Sequence, residues 1–215
     1  MWSKLQMIKI IDDFLTKSYY KKILELMTSS NFEWWYRDNV SGANQMAFPQ
    51  PPHLNDYGFA HNFWHEKEGP VSRFASFIEP LLFQILDVTN CDLLWRARAD
   101  MVTWSKQQFV HPAHRDFPFS NIASVFYVNE SDGDTIFYNV KPDDIPKDKD
   151  LKEYDRVSPK ANRLVIFDGD LLHTGCSPTK HKNRILINSN YIKKEDLEEA
   201  KRYMELEEAD RYLET

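Results

Sequence analysis

Three residues, His114, Asp116 and His173, are of the types that bind a transition metal while leaving part of its sphere open. His114 and Asp116 stand at i and i+2. On an extended segment such side chains point the same way, about 6.6 Å apart along the chain. Two imidazoles and one carboxylate leave three positions free, the set suited to non-haem Fe(II) that must also bind a co-substrate and O2. A His-x-Asp triplet alone carries little. With 7 His and 19 Asp in 215 residues, random placement gives about 0.6 such triplets. Context raises its value. His173 closes the apolar stretch RLVIFDGDLLH at 163–173, read here as one strand, and Thr-Gly follows. Two alternatives stay open: His111 in place of His114, and His173 as a hydrogen-bonded strand end. Arg115 should point away from the metal. His61 and His65 in HNFWH lack the Glu of a helical HExxH metal site.

A cation follows the second histidine. Arg184 opens the segment RILINSNYI after the turn TGCSPTKHKN. Read as an antiparallel hairpin, this places Arg184 beside the metal, where a guanidinium offers a rigid two-pronged grip on a carboxylate. Strand alternation puts Leu186, Asn188 and Asn190 on its face. Buried amides need partners, so that face would line a polar lumen. The opposite assignment turns 184, 188 and 190 to solvent and Ile185, Ile187 and Tyr191 to the core. Tyr127 in FYVN is a second candidate carboxylate contact, or simply a core tyrosine.

The elements that must hold these residues are mostly short strands. MIKII at 7–11 reads as a strand and KSYYKKILELMT at 17–28 as a helix with Tyr20, Ile23, Leu24 and Met27 on one face. Residues 31–69, rich in Trp, Tyr, Asn, Pro and His, show no clean period. They read as a long irregular wall over the core or as a lid facing the substrate. Residues 71–87 read as a helix that Pro80 should kink. The period then changes to that of strands: 93–104, 121–128, 135–140, 163–168 and 184–192. NESDG at 129–133 is a turn. The charged segment 141–162 reads as a surface loop. Residues 194–213 form a charged helix with a thin apolar stripe of Leu197, Ala200, Met204 and Leu213. The fold class expected is mostly β with flanking helices. One domain covers 1–215: an N-terminal part at 1–92, a core at 93–192 and a C-terminal helix at 193–215.

Composition narrows the function classes. A chain of 25.5 kDa can bury a real core. Net charge is −6 and pI 5.7, which argues against a phosphate-backbone partner, although Arg96, Arg98 and Lys106 could form a local basic groove. Cys91 and Cys176, without CxxC, suggest a reducing compartment. No apolar run has the length of a membrane span or the form of a signal peptide. A cytoplasmic protein is expected, monomeric or homodimeric.

At the motif residues the sequence resembles the Fe(II)/2-oxoglutarate-dependent oxygenase superfamily, in its prolyl-4-hydroxylase-like branch of small bacterial and phage forms. Four pieces match in order: HRD at 114–116, FYVNESDGDTIF at 126–137, RLVIFDGDLLH at 163–173, and Arg184. The resemblance covers roughly 93–192, with an echo in IIDDFL. It implies a double-stranded β-helix of the jelly-roll or cupin type with helices on one side, and, for a phage-encoded chain, the host cytoplasm. It also implies that His114, Asp116 and His173 ligate iron. Arg184, helped by Tyr127, would hold the far carboxylate of 2-oxoglutarate, with Trp104, Asn188 and Asn190 nearby. The implied reaction is hydroxylation of an unactivated C–H bond with release of succinate and CO2, with ascorbate as a reductant. A peptidyl proline is the first substrate suggested, a small molecule the second and a nucleobase the third. Phe109, Phe117, Phe119 and Trp104 would be walls of the substrate pocket. The family's Gly-Gly is Asp132-Gly133 here, a change in a turn. Two rivals remain: a cupin-like metal-dependent hydrolase or isomerase without 2-oxoglutarate, and a non-catalytic barrel that only binds.

Overall fold

The computed structural model describes residues 8–41, 56–138, 140 and 151–213, with side chains as far as 206. Two antiparallel sheets face each other. The major sheet holds eight strands in the order β1 (Ile8–Ile11), β9 (Arg163–Asp168), β6 (Ile122–Tyr127), β11 (Asn183–Ile192), β5 (Leu93–Thr103), β3 (Gly58–His65) and β2 (Trp35–Arg37), with β4 (Gly69–Pro70) on β3. The minor sheet runs β10 (Leu172–Gly175), β7 (Thr135–Tyr138) and β8 (Glu153–Val157). This is the mostly β, jelly-roll class with flanking helices that the motifs imply.

Alternation along β11 divides the interior. Ile185, Ile187 and Tyr191 join a hydrophobic cluster under α1 (Lys17–Met27) and α2 (Ala75–Thr89). Helix α1 contributes Ile23 and Met27; α2 contributes Ile78, Leu81, Leu82 and Ile85. Pro80 sits inside α2, which ends where Asn90 turns left-handed at φ 54°. The other face of β11 looks toward the minor sheet. There Leu186 joins Val125, Tyr127, Phe137, Val165 and Phe167 in a second cluster. Both faces of the strand are therefore buried, one apolar and one partly polar. Helix α3 (Leu197–Leu213), entered through a 3-10 turn at Lys194–Asp196, lays Leu197, Ala200 and Met204 on Trp95, Phe119 and Ile192. Among the described residues no helix is long and apolar enough to cross a membrane.

Four expectations change. The segment 31–69 is not simply irregular: it carries β2, β3 and β4 and extends the major sheet. Its aromatic residues defeat the period because β3 is buried on both sides, with Ala60, His61 and Phe63 all inside. Residues 153–157 form a strand on β7 rather than a loop; 141–150 lie outside the described residues. The stretch 163–173 is two strands, not one. It breaks at Gly169, whose backbone packs so closely on Asn121 that a Cβ would collide with it. His173 consequently lies in the minor sheet, and β10 and β11 form no hairpin. Arg184 reaches His173's strand across the sandwich.

Candidate metal and carboxylate site

The two histidines are set by a backbone ladder. His114 N–H donates to the His173 carbonyl at 2.9 Å, and His173 N–H returns to the His114 carbonyl at 3.0 Å. His111 N–H to the Gly175 carbonyl and Ser177 N–H to that of Phe109 extend the pairing. Segment 109–114 thus runs beside β10, and the two rings stand 4.9 Å apart. Nδ1 of His114 is 3.1 Å from the Pro112 carbonyl, and Nδ1 of His173 is 3.0 Å from that of Leu171. A carbonyl can only accept, so each Nδ1 carries the proton and each Nε2 keeps a lone pair. One ligand atom from each of His114, Asp116 and His173 lies within 4.8 Å of the others. Burial, and then the neighbouring His173, push His114 down to about 4, leaving it neutral at ordinary pH.

Asp116 is held from the major sheet. Its Oδ1 accepts from Arg96 at 2.8 Å; its Oδ2 accepts from Asn190 at 3.0 Å and Asn188 at 3.3 Å. Burial works to raise this carboxyl. Arg96, with His173 and His114, outweighs it and holds Asp116 well below the usual carboxylate range. The group is an anion aimed at two lone pairs, a donor set that fits a divalent ion and makes little sense as packing.

Arg184 faces the same cavity as His114, His173 and Asn188. It is 6% exposed. Its Nη2 donates to Thr135 Oγ1 at 2.6 Å, and its Nε is buried with no hydrogen-bond partner among the described residues. A buried guanidinium bonded to a hydroxyl rather than a carboxylate is an uncompensated cation. A ligand carboxylate would fill that need with charge-assisted bonds. Gly175 makes the space: a Cβ there would sit 2.8 Å from Arg184 Nη1.

The other expected site residues divide. Tyr127 is fully buried, and its hydroxyl lies 2.6 Å from Thr135 Oγ1. It stands behind Thr135 with the Arg184 guanidinium over its ring, 5.6 Å from the centroid, its phenol kept protonated by burial. Asn188 lines the cavity; its Nδ2, like that of Asn190, donates to Asp116, and its Oδ1 has no hydrogen-bond partner among the described residues. Trp104 is not brought in. It is 54% exposed and donates its indole N–H to the Thr179 carbonyl. Phe117 and Phe119 pack under α3 instead of walling the cavity. Arg115 is directed to Asp170, 3.6 Å away. Arg96 and Arg98 form no open basic groove: Arg96 bonds Asp116, and Arg98 pairs with Asp100 at 2.8 Å. His61 is a core histidine with both nitrogens bonded. Thr135, Arg96 and the Asp56–His111 pair, 2.7 Å apart, were not anticipated. Alternation along β5 could have found Arg96, which faces Asn190.

Residues 100–192 match the model of the 2OG-Fe(II) oxygenase superfamily. The matched segment is less than half of the chain and contains the triad and Arg184. The resemblance read from the motifs holds over this segment, which is similar to an oxidoreductase class that works with Fe(II), 2-oxoglutarate and O2. Solved structures agree on the fold. A prolyl hydroxylase from Trichoplax adhaerens, in complex with a hypoxia inducible factor degradation-domain peptide, superposes with TM-score 0.58 at 13% identity, covering 89% of this chain and 86% of that one. A Pseudomonas putida prolyl-4-hydroxylase gives 0.54 at 12%, covering 88% and 94%. The 2-oxoglutarate-dependent epimerase SnoN from nogalamycin biosynthesis gives 0.59 at 10%, covering 87% and 79%. No curated protein matches the sequence.

Proposed function

We propose that the chain is a hydroxylase of unactivated C–H bonds, with a peptidyl proline as the first substrate to test. One observation carries the reading: a buried guanidinium without a carboxylate partner among the described residues opens on the same cavity as two lone-paired imidazoles. His114, Asp116 and His173 would hold Fe(II), and Arg184, steadied by Thr135 and Tyr127, would take the distal carboxylate of 2-oxoglutarate. When bound, the iron and co-substrate supply the oxidation: one O2 atom goes to succinate as CO2 leaves, the other to the C–H carbon. The protein's part is orientation and exclusion of water. Arg96, Asn188 and Asn190 keep Asp116 ionised and aimed, and the Pro112 and Leu171 carbonyls fix the ring tautomers. The likeness to prolyl hydroxylases, one holding a peptide, supports a peptide substrate.

The test is anaerobic titration of Fe(II) and 2-oxoglutarate. The wild type should give a weak visible charge-transfer band, and His114→Ala should abolish it. In air, with ascorbate present, succinate should form. A wild type with neither band nor succinate would sink the proposal. Arg184→Ala separates it from a cupin-like hydrolase or isomerase, since only here should loss of Arg184 remove keto-acid binding while sparing the metal.

A further inference from the structure

One polar group in the cavity is used by neither the triad nor Arg184. His111 lines the cavity yet is 4% exposed. Its Nδ1 lies 2.7 Å from Asp56 Oδ1, and the same oxygen accepts from Ser41 Oγ at 3.0 Å. Asp56 is itself 2% exposed. The His111 carbonyl accepts from Thr174 Oγ1 at 2.6 Å, its N–H donates to Gly175, and its ring meets Phe109 edge-on. The ring is therefore fixed on several sides. Its remaining polar atom, Nε2, is buried with no hydrogen-bond partner among the described residues.

His61 provides an internal contrast. It is equally buried, yet both its nitrogens are bonded, to the Glu33 carbonyl and Ser72 Oγ. That is how this fold treats a histidine that only packs. A buried ring nitrogen left unpaired costs free energy unless a ligand completes it. Asp56 sets the direction of the ring. Among the described residues its ion-pair partner is His111, and with Nδ1 turned to that carboxylate, Nε2 is the ring atom left for a ligand. Ser41, Val40 and Asp56 all precede the segment that matches the oxygenase model.

We propose that His111, oriented by Asp56 and Ser41, is a substrate-recognition residue whose Nε2 hydrogen-bonds the primary substrate, at its peptide backbone or at a carboxylate. This rests on the hydroxylase reading. Asp56 is a positioning residue; His111 makes the contact.

The probes are N-acetylated proline peptides, each made with a free C-terminal carboxylate and as the C-terminal amide. Stimulation of succinate release by both forms identifies the peptide backbone; stimulation by the carboxylate form alone identifies a carboxylate. His111→Asn keeps an amide near the Nδ1 position and loses the group that reaches the cavity. It should raise the KM for the stimulating peptide at least tenfold. The Kd for 2-oxoglutarate, read from the anaerobic band, should stay within twofold and report an intact fold. His111→Gln, which places its amide near Nε2, should recover most of the loss, and Asp56→Asn should behave as His111→Asn does. An unchanged peptide KM, an equal loss of 2-oxoglutarate affinity, or no stimulation by either peptide series would each overturn the assignment. Absence of the band in wild type would instead overturn the hydroxylase reading, and this inference with it.

Discussion

Asp116 receives three donated hydrogen bonds before any ligand arrives, from Arg96, Asn188 and Asn190. Groups that orient a metal ligand commonly govern affinity as strongly as a weak ligand does. Asn190→Ala should therefore weaken Fe(II) binding by roughly ten- to a hundredfold, read from anaerobic titration, with little change in the affinity for 2-oxoglutarate. Arg184 predicts the reverse separation. Arg184→Ala removes charge-assisted bonds worth about 1.5–3 kcal/mol, so the Kd for 2-oxoglutarate should rise by roughly one to two orders of magnitude while Fe(II) binding persists. Gly175→Ala tests the space itself. Its Cβ would crowd the guanidinium, and it should weaken 2-oxoglutarate binding without moving the unfolding midpoint as a core cavity would. If Gly175→Ala binds 2-oxoglutarate as tightly as wild type, Arg184 does not work in the position described.

Strand β1 is fastened at the rim of the major sheet by a charge cluster. Asp12 accepts from Arg163 at 2.6 Å and from Lys160 at 3.1 Å. The Arg163 bond, with Lys160, holds its carboxyl down to about 2 against a modest desolvation. A depressed carboxyl stabilises above its unfolded value near 4 and loses that contribution as pH falls through 2. Asp12→Asn should cost about 1 kcal/mol or less at pH 6, since the cluster is partly exposed, and nothing near pH 2. Urea midpoints at several pH values would show it. Tyr191 ties β11 to α2: its hydroxyl donates to the Leu82 carbonyl at 3.0 Å. Tyr191→Phe removes that bond and the one with Ser189 Oγ inside the core, and should cost about 0.5–1.5 kcal/mol. Elements were legible in the sequence where one period dominated, as in α1 and β6, and alternation along RILINSNYI put Arg184, Asn188 and Asn190 on one face. Two kinds of information were not. The break at Gly169 depends on a close approach to Asn121, 48 positions away in the chain, and nothing in an apolar run reports it. The Ser41–Asp56–His111 chain unites residues of three segments; His111 was weighed only as a metal ligand in place of His114, and nothing in the sequence pointed to Ser41 or Asp56 as its partners. Trp104 was misplaced because a likeness of position does not carry the direction of a side chain.

Across the whole molecule the two sheets contribute differently to one centre. His173 belongs to β10 and His114 is laddered to it, while Asp116 is fastened to β5 and β11. A bound ion would join the sheets, yet the apolar cores beside it hold without one. Chelation should leave the far-ultraviolet dichroism unchanged and lower the melting temperature; an ion at a hundred times its Kd adds about 2.7 kcal/mol by mass action. Loss of secondary structure on chelation would contradict this. The double burial of β11 also sets which genetic changes the protein can survive. Its odd positions sit in one interior and its even positions in another. Removing a single codon between those for Ile185 and Ser189 would exchange the two for the rest of the strand, sending amides into the packing under α2 and Ser189 and Tyr191 toward Asp116. Removing two codons would preserve the facing but shift half of the strand by about 6.8 Å, drawing Asn188 toward Arg184 and away from Asp116. Within these few positions substitution is available to evolution and changes of length are not, so relatives that differ in substrate should differ in length elsewhere.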